Sequence, residues 1–351
     1  MNNKSSILAF RQTTLGEIAR KDGHGIVDGP FGSNLRASEY VSYGIPVIRG
    51  SNLSLGLERF HTKDYVFVSK ETANRLNRSL CQPDDIIFTK KGTLGQTGIV
   101  PRTEPYKIFL LSSNQMKLSV DIKIANPLFV YYYVSSPASR ERIIREAMTT
   151  GVPKINLEYL RRFPISLPPL STQKKIAAIL SAYDDLIENN TRRIKILEEM
   201  AQTLYHEWFV KFRFPGHEQT KMVDSELGLI PEGWEVVSFA DIADILSGGT
   251  PKTKIPEYWN GDIPFFTPKD TPESFYVTQT EKSITTLGLS KCNSKLYPKN
   301  TVFITARGTA GKAVMTAGDM AMNQSCFALK GKYTINQYFV FLTIKNYVEY
   351  L

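Results

Sequence analysis

With 351 residues, 42% of them hydrophobic, the chain holds enough apolar material for two cores of ordinary domain size. No run approaches 18 apolar residues, residues 1–10 lack the apolar core of a signal peptide, and Cys81, Cys292 and Cys326 show no CxxC spacing; this argues against a membrane span, a leader, a disulfide framework and a zinc site, and predicts a cytoplasmic protein. The net charge of +9 invites a nucleic-acid partner, and its excess lies at the front: residues 1–167 hold 23 Lys+Arg against 14 Asp+Glu, residues 168–217 hold 7 against 6, and residues 218–351 hold 13 against 14.

In chain order, "LGEIA", "GIPVIRGSNL", "PDDIIFTKKGTLGQTGIV" and "SSNQMKLSV" fill residues 15–120, with "IIF" a β-branched and aromatic strand entering a Gly-rich turn. "ANPLFVYYYVSSPASRERIIREAM" is predicted to be helical past Pro127, with a cationic tail that suits C-terminal turns. Residues 171–209 then run without Pro or Gly. Their apolar positions Ile176, Leu180, Tyr183, Ile187, Asn190, Ile194, Leu197, Ala201, Leu204 and Trp208 alternate steps of four and three, a heptad seam flanked by mixed charges. Asn190 is the polar member that selects register and partner, and the seam spans roughly 50 Å, longer than a small domain needs. The Pro-, Gly- and polar-rich residues 214–234 are predicted to be a linker.

Beyond it the first segment is echoed by "FADIA", "GDIPFFTPKD", "PKNTVFITARGTAGKAVMT", "AMNQSCFALKG" and "NQYFVFLTIKN". Gly92 matches Gly308 at an offset of 216 and Asn114 matches Asn323 at 209, so an internal duplication of a mixed α/β domain is expected. The expected boundaries are 1–167 for the first domain, 168–214 for the helix, 215–233 for the linker and 234–351 for the second domain.

Four enzymatic patterns fail on inspection. "NPLF" has Leu128 where an amino-methyltransferase motif has its second Pro, and no glycine-rich donor loop follows a strand. "RGTAGKA" has Ala313 in place of the magnesium-binding Ser or Thr of a phosphate loop and Ala306 in place of its leading Gly. "PDDIIFTK" lacks the acidic residue beside its lysine that metal-dependent hydrolysis needs, and no serine sits in a nucleophile elbow. What remains is recognition chemistry. Lys90, Lys91, Thr93 and Gln96 occupy one Gly-rich turn and Thr305, Arg307, Thr309 and Lys312 its counterpart, with donors for phosphates and for adenine. The glycines alone need only close a hairpin, whereas Lys91 and Arg307 are cationic in both copies. Arg49 and Asn52 in "IRGSN", with Lys269 and Asp270 in "TPKD", form a second pair with groups for base edges, although at least one of these Asx residues is expected only to cap its turn.

Over essentially its whole length the chain resembles the specificity subunit of type I restriction-modification systems. The residues that carry the resemblance are "DGPFGSNL" (28–35), "GVPKINLEYL" (151–160), "LPPLSTQKKIAAIL" (167–180), "MVDSELGLIPEGWE" (222–235) and "GGTPKTKIPEYWNGDIPFFTPKD" (248–270). The resemblance implies α/β (α+β) target-recognition domains in two pseudo-repeats joined by a long heptad-patterned spacer helix. It implies that each domain reads one half of a bipartite site in double-stranded DNA, and that a second spacer helix pairs antiparallel with the first. It also implies recruitment of two methyltransferase subunits and then restriction subunits. On this view the chain is non-catalytic and binds no cofactor, and S-adenosylmethionine, ATP and magnesium belong to the partner subunits. No second spacer helix precedes Leu351, so the second domain is expected to be incomplete at its C-terminus and the seam to be completed by self-association or by methyltransferase helices. The rival expectation is a coiled-coil scaffold with no direct DNA role.

Overall fold

The computed structural model describes residues 10–55, 58–102, 105–147, 153–308 and 310–348. The chain divides into two compact units, 1–190 and 191–351, with the boundary inside the long helix.

In the first unit the run Ile86–Thr89 forms the interior of an antiparallel sheet whose strands lie in the order Ile26–Asp28, Gln115–Leu118, Ile86–Thr89, Thr97–Ile99. Its unbroken apolar sequence has a simple cause. Ile86 and Phe88 point to one core with Leu15, Ile18, Met116 and Val130, while Ile87 points to another with Ile48, Leu53, Phe109 and Leu111, so both faces are dry. A second sheet orders Tyr40–Val41, Val66–Val68, Ile45–Ile48, Phe109–Leu111 and Leu80–Cys81, and its Ile45–Ile48 and Phe109–Leu111 strands run parallel.

The second unit repeats this plan. Ala243–Ser247, Cys326–Gly331, Val302–Thr305 and Ala313–Thr316 follow the same order, extended by Tyr276–Val277, and Trp259–Phe266 pairs in parallel with Ala321–Met322 as Ile45–Ile48 does with Phe109–Leu111. Phe303 faces Phe266, Val314 and Met322, and Val302 faces Ala243, Met315 and Phe341, which reproduces the two-sided burial of the first unit.

Two predicted elements differ from the sequence reading. The helix past Pro127 is two helices, Pro127–Ser135 and Pro137–Ala147, because Pro137 forces extended backbone on Ser136 (ψ 151°). The segment read as a linker carries a hairpin, Met222–Ser225 with Gly228–Pro231, and Trp234 stacks on Phe214 at 5.6 Å. The apolar seam, expected to await a partner, is uncovered among the described residues: along the long helix Leu170–Tyr205, Leu180, Tyr183, Ile187, Asn190, Ile194, Leu197 and Leu204 are exposed, and only Ile176 and Ala201, with Trp208 just beyond the helix, are half-buried. A helix–helix heptad interface is therefore absent among the described residues.

The helix docks through a neighbouring, more polar face. In the first unit Gln173 and Ala177 are buried, Tyr132 Oη donates to Asp184 at 2.6 Å, and Arg59 bonds Asp185 and Glu188. In the second unit Glu198 accepts from Phe275 N at 2.7 Å, Tyr205 Oη donates to Thr343 at 3.1 Å, and Phe209 meets Phe339 edge-on at 5.0 Å. Gln173 is the most informative of these. Its Oε1 accepts from Asn126 N at 2.9 Å and its Nε2 donates to Pro168 O at 2.9 Å, tying the helix start to the cap of Pro127–Ser135. Gln173→Ala strands both backbone groups and is expected to cost about 1–2 kcal/mol in urea unfolding; a loss below experimental error would mean that water replaces the amide fully.

Candidate nucleic-acid interface

Four connections meet at one end of the first unit's antiparallel sheet. Lys90 N donates to Asn114 O at 2.7 Å, Ser112 N to Ile48 O at 3.0 Å and Gly29 N to Gln115 O at 2.9 Å, which gathers the loop after Asp28, the turn 49–52, the loop 90–96 and the turn 112–115. The second unit builds a matching cluster with Ala306 N to Ser325 O at 2.8 Å and Asn323 N to Phe266 O at 3.0 Å, and ties its loop after Ser247 by a different bond, Gly249 N to Met322 O at 3.1 Å. These bonds define the true equivalences: Thr89 with Thr305, Lys91 with Arg307, Gln96 with Lys312 and Ser112 with Asn323. The expected match of Asn114 with Asn323 is thus two residues out of register, since Asn114 corresponds to Ser325.

The described residues of the two Gly-rich turns share a closing bond and the backbone conformation of their glycines. Thr89 N donates to Gln96 O at 3.1 Å and Thr305 N to Lys312 O at 3.0 Å. Gly92 and Gly95 have φ of 106° and 83°, and Gly308 and Gly311 have 85° and 86°. Left-handed backbone at two positions three apart explains why both copies need glycine there.

The predicted contact residues fall into distinct groups. Lys91, Thr93, Lys269, Arg307 and Lys312 are exposed on these loops. Lys90 is partly turned inward, 3.2 Å from Asp28. Thr309 lies outside the described residues. Four candidates are spent on the scaffold. Asn52 is fully buried: its Oδ1 accepts from Arg49 N at 2.9 Å and its Nδ2 donates to His61 O and Lys63 O at 3.0 Å each, so it has nothing left for a base edge. Asp270 caps the equivalent turn, accepting from Thr267 N and Glu281 N at 2.7 Å each. Thr305 is buried and accepts from Lys312 N at 3.0 Å. Gln96 donates to Leu53 O at 3.4 Å and accepts from Thr89 Oγ1 at 3.3 Å. Arg49 is intermediate in kind: its Nη2 donates to Asp64 O at 2.6 Å while its buried Nε has no hydrogen-bond partner.

The clusters also contain groups the sequence reading did not select. Phe31 is 78% exposed on the loop after Asp28, a large apolar surface within the "DGPFGSNL" stretch. Ser51 stands at the exposed apex position that Lys269 occupies in the other copy. Cys326 adjoins Asp270, and burial first, then that carboxylate, pushes its thiol up to about 12, so it remains neutral at physiological pH. Among the described residues no set of three or more His, Cys, Asp or Glu side chains is placed to hold a metal ion, and no helix is long and apolar enough to cross a membrane.

The model of the type I restriction modification DNA specificity domain matches residues 30–199 and 231–351. The chain belongs to that family. The two matched stretches carry the two loop clusters, so each unit is a specificity domain. The chain is 34% identical over 149 residues to the MjaIX type I restriction enzyme specificity subunit of Methanocaldococcus jannaschii, covering 41% of this chain and 33% of that protein. It is 22% identical over 295 residues to the HindI type I restriction enzyme specificity subunit of Haemophilus influenzae, covering 68% of this chain and 64% of that protein. The alignments therefore span from a third to under two thirds of these relatives' lengths. A crystal structure of a type I restriction-modification S subunit from M. genitalium shares the fold, with a TM-score of 0.59 at 15% identity over 100% of this chain and 80% of that one.

Proposed function

We propose that this chain is a DNA-reading specificity subunit in which each specificity domain reads one half of a bipartite site through its loop cluster. The observation that carries the proposal is the pattern of likeness and difference between the clusters. The scaffold bonds and the cation at Lys91 and Arg307 recur, while the exposed or partly exposed positions Ser51 and Lys269, and Lys90 and Ala306, differ, and Lys312 is exposed where its counterpart Gln96 is held by the scaffold. Contacts to phosphate are independent of sequence and can be shared between two halves, whereas base readers must differ if the halves differ. Two methyltransferase subunits and restriction subunits would then act where this chain directs them, with S-adenosylmethionine, ATP and magnesium bound on those partners.

In this proposal the helix sets the length of the unread stretch between the halves. One turn of DNA is about 34 Å, and the 36 residues of Leu170–Tyr205 rise ~54 Å. The test is single-molecule sequencing of methylated DNA from cells that express the chain with its cognate methyltransferase subunit, beside cells lacking the chain. A bipartite motif seen only with the chain is expected, and removal of one heptad together with its counterpart on the paired helix should shorten the spacer. No new methylation despite methyltransferase binding would overturn the reading. The exposed seam favours one alternative, a scaffold without a DNA role, which predicts partner capture that is indifferent to added duplex.

A further inference from the structure

Lys154 was not a candidate from sequence, yet the fold brings it to the first loop cluster. Lys91 and Lys154 face each other in an isolated antiparallel bridge. Ile155 N donates to Lys90 O at 3.1 Å, one residue outside the pair on each strand. That bond flanks the lysines instead of joining them, which makes theirs the non-hydrogen-bonded kind of pair, with Cα atoms ~4.5 Å apart and both side chains on the same face.

Both side chains are exposed, and neither has an ion pair among the described residues. The adjacent Lys90 is already matched by Asp28, so the local acid is used elsewhere. Like charges directly opposite one another weaken a strand pair. The arrangement works against the unliganded fold, and one anion between the two ammonium groups would remove the penalty.

We propose that Lys91 and Lys154 clamp a single phosphodiester of the DNA backbone beside the first loop cluster. This rests on the DNA-reading function proposed above. The clamp fixes register and orientation of the first domain on the duplex. Because phosphate carries no base identity, the clamp contributes affinity and salt dependence without altering which bases are preferred.

The test uses the full chain bound to its methyltransferase subunit and titrates labelled cognate and scrambled duplexes over a salt series. Lys91→Gln and Lys154→Gln are each expected to weaken both duplexes to the same degree and to reduce the salt slope by about one. The double variant should lose no more slope than either single one, since one phosphate is held by the pair. Lys154→Arg should restore binding, and the thermal midpoint of Lys154→Gln without DNA should equal or exceed wild type. Unchanged affinity and slope in Lys154→Gln would overturn the clamp while leaving DNA reading intact, as would additive slope losses, which mean two separate phosphates. Absence of salt-dependent binding by the wild-type complex would overturn both. Stabilisation of the wild type by inorganic phosphate that the double variant loses, without any change in duplex binding, would reassign the pair to free phosphate.

Discussion

Lys117→Met is expected to destabilise the first unit by about 3–5 kcal/mol, the largest effect of any single substitution considered. Lys117 and Asp85 are each 5% exposed and lie 3.1 Å apart, and Asp85 also accepts from Ser119 Oγ at 2.5 Å and Gln82 N at 2.9 Å. The pair joins the start of the strand Ile86–Thr89 to the neighbouring strand Gln115–Leu118. Taking both charges out of water is costly, and the fold tolerates it only while each has the other and the carboxylate's remaining lone pairs are filled. Removal of the lysine leaves a buried anion with two neutral donors. For a unit of 190 residues the loss corresponds to a fall of roughly 6–20 °C in the thermal midpoint. Adding Asp85→Asn should recover a measurable part, because the amide oxygen still accepts from Gln82 N and the orphan charge is gone. Equilibrium unfolding, with hydrogen exchange to locate the loss, checks this; a Lys117→Met protein as stable as wild type would mean that the pair is solvated. Both carboxylates of "PDDIIFTK" are thus engaged within the first unit, Asp85 by Lys117 and Asp84 by a bidentate bond to Arg102.

The sheets were legible in the sequence because "IIFT" and "VFIT" are β-branched and aromatic runs ending at paired glycines, and both the runs and the glycines are enforced by backbone geometry. The duplication was legible in block order but not in register. Asn114 and Asn323 share a side chain, whereas Ser112 and Asn323 share the bond that matters, from their N–H to Ile48 O and Phe266 O. Asn52 and Asp270 illustrate a related limit. An Asx residue offers its donors or acceptors outward only if no nearby N–H claims them, and the claims come from Arg49 and Thr267, three residues back in a turn whose shape the sequence leaves open. The helix marks a third limit. Apolar periodicity marked a long helix and a seam that no described element of this chain covers, but it gave no sign of the second, polar face by which Gln173, Asp184 and Glu198 attach the helix through hydrogen bonds that hydrophobic patterning does not register.

Gly29→Ala and Gly248→Ala are expected to damage one specificity domain each, and for a reason unrelated to backbone freedom. Neither glycine has a positive φ, but an added Cβ would lie 1.9 Å from Ser112 O at Gly29 and 2.0 Å from Asn323 O at Gly248. The obstacle cannot swing aside. Ser112 is anchored through its own N–H to Ile48 O at 3.0 Å and its carbonyl accepts from Gln115 N at 3.3 Å; Asn323 is held in the same way by Phe266 O and Cys326 N. The loop must therefore lift away from the cluster, at a cost near the upper end of about 1–3 kcal/mol. Gly32 supplies the control within the same loop. Nothing lies within 4 Å of a Cβ built there, so Gly32→Ala should stay within about 0.5 kcal/mol of wild type. If each cluster reads one half of a bipartite site, Gly29→Ala should blur one half of the methylated motif and Gly248→Ala the other, with the spacer unchanged. Loss of both halves in either variant would mean that the clusters do not read independently. An intact motif in both would remove these loops from the interface.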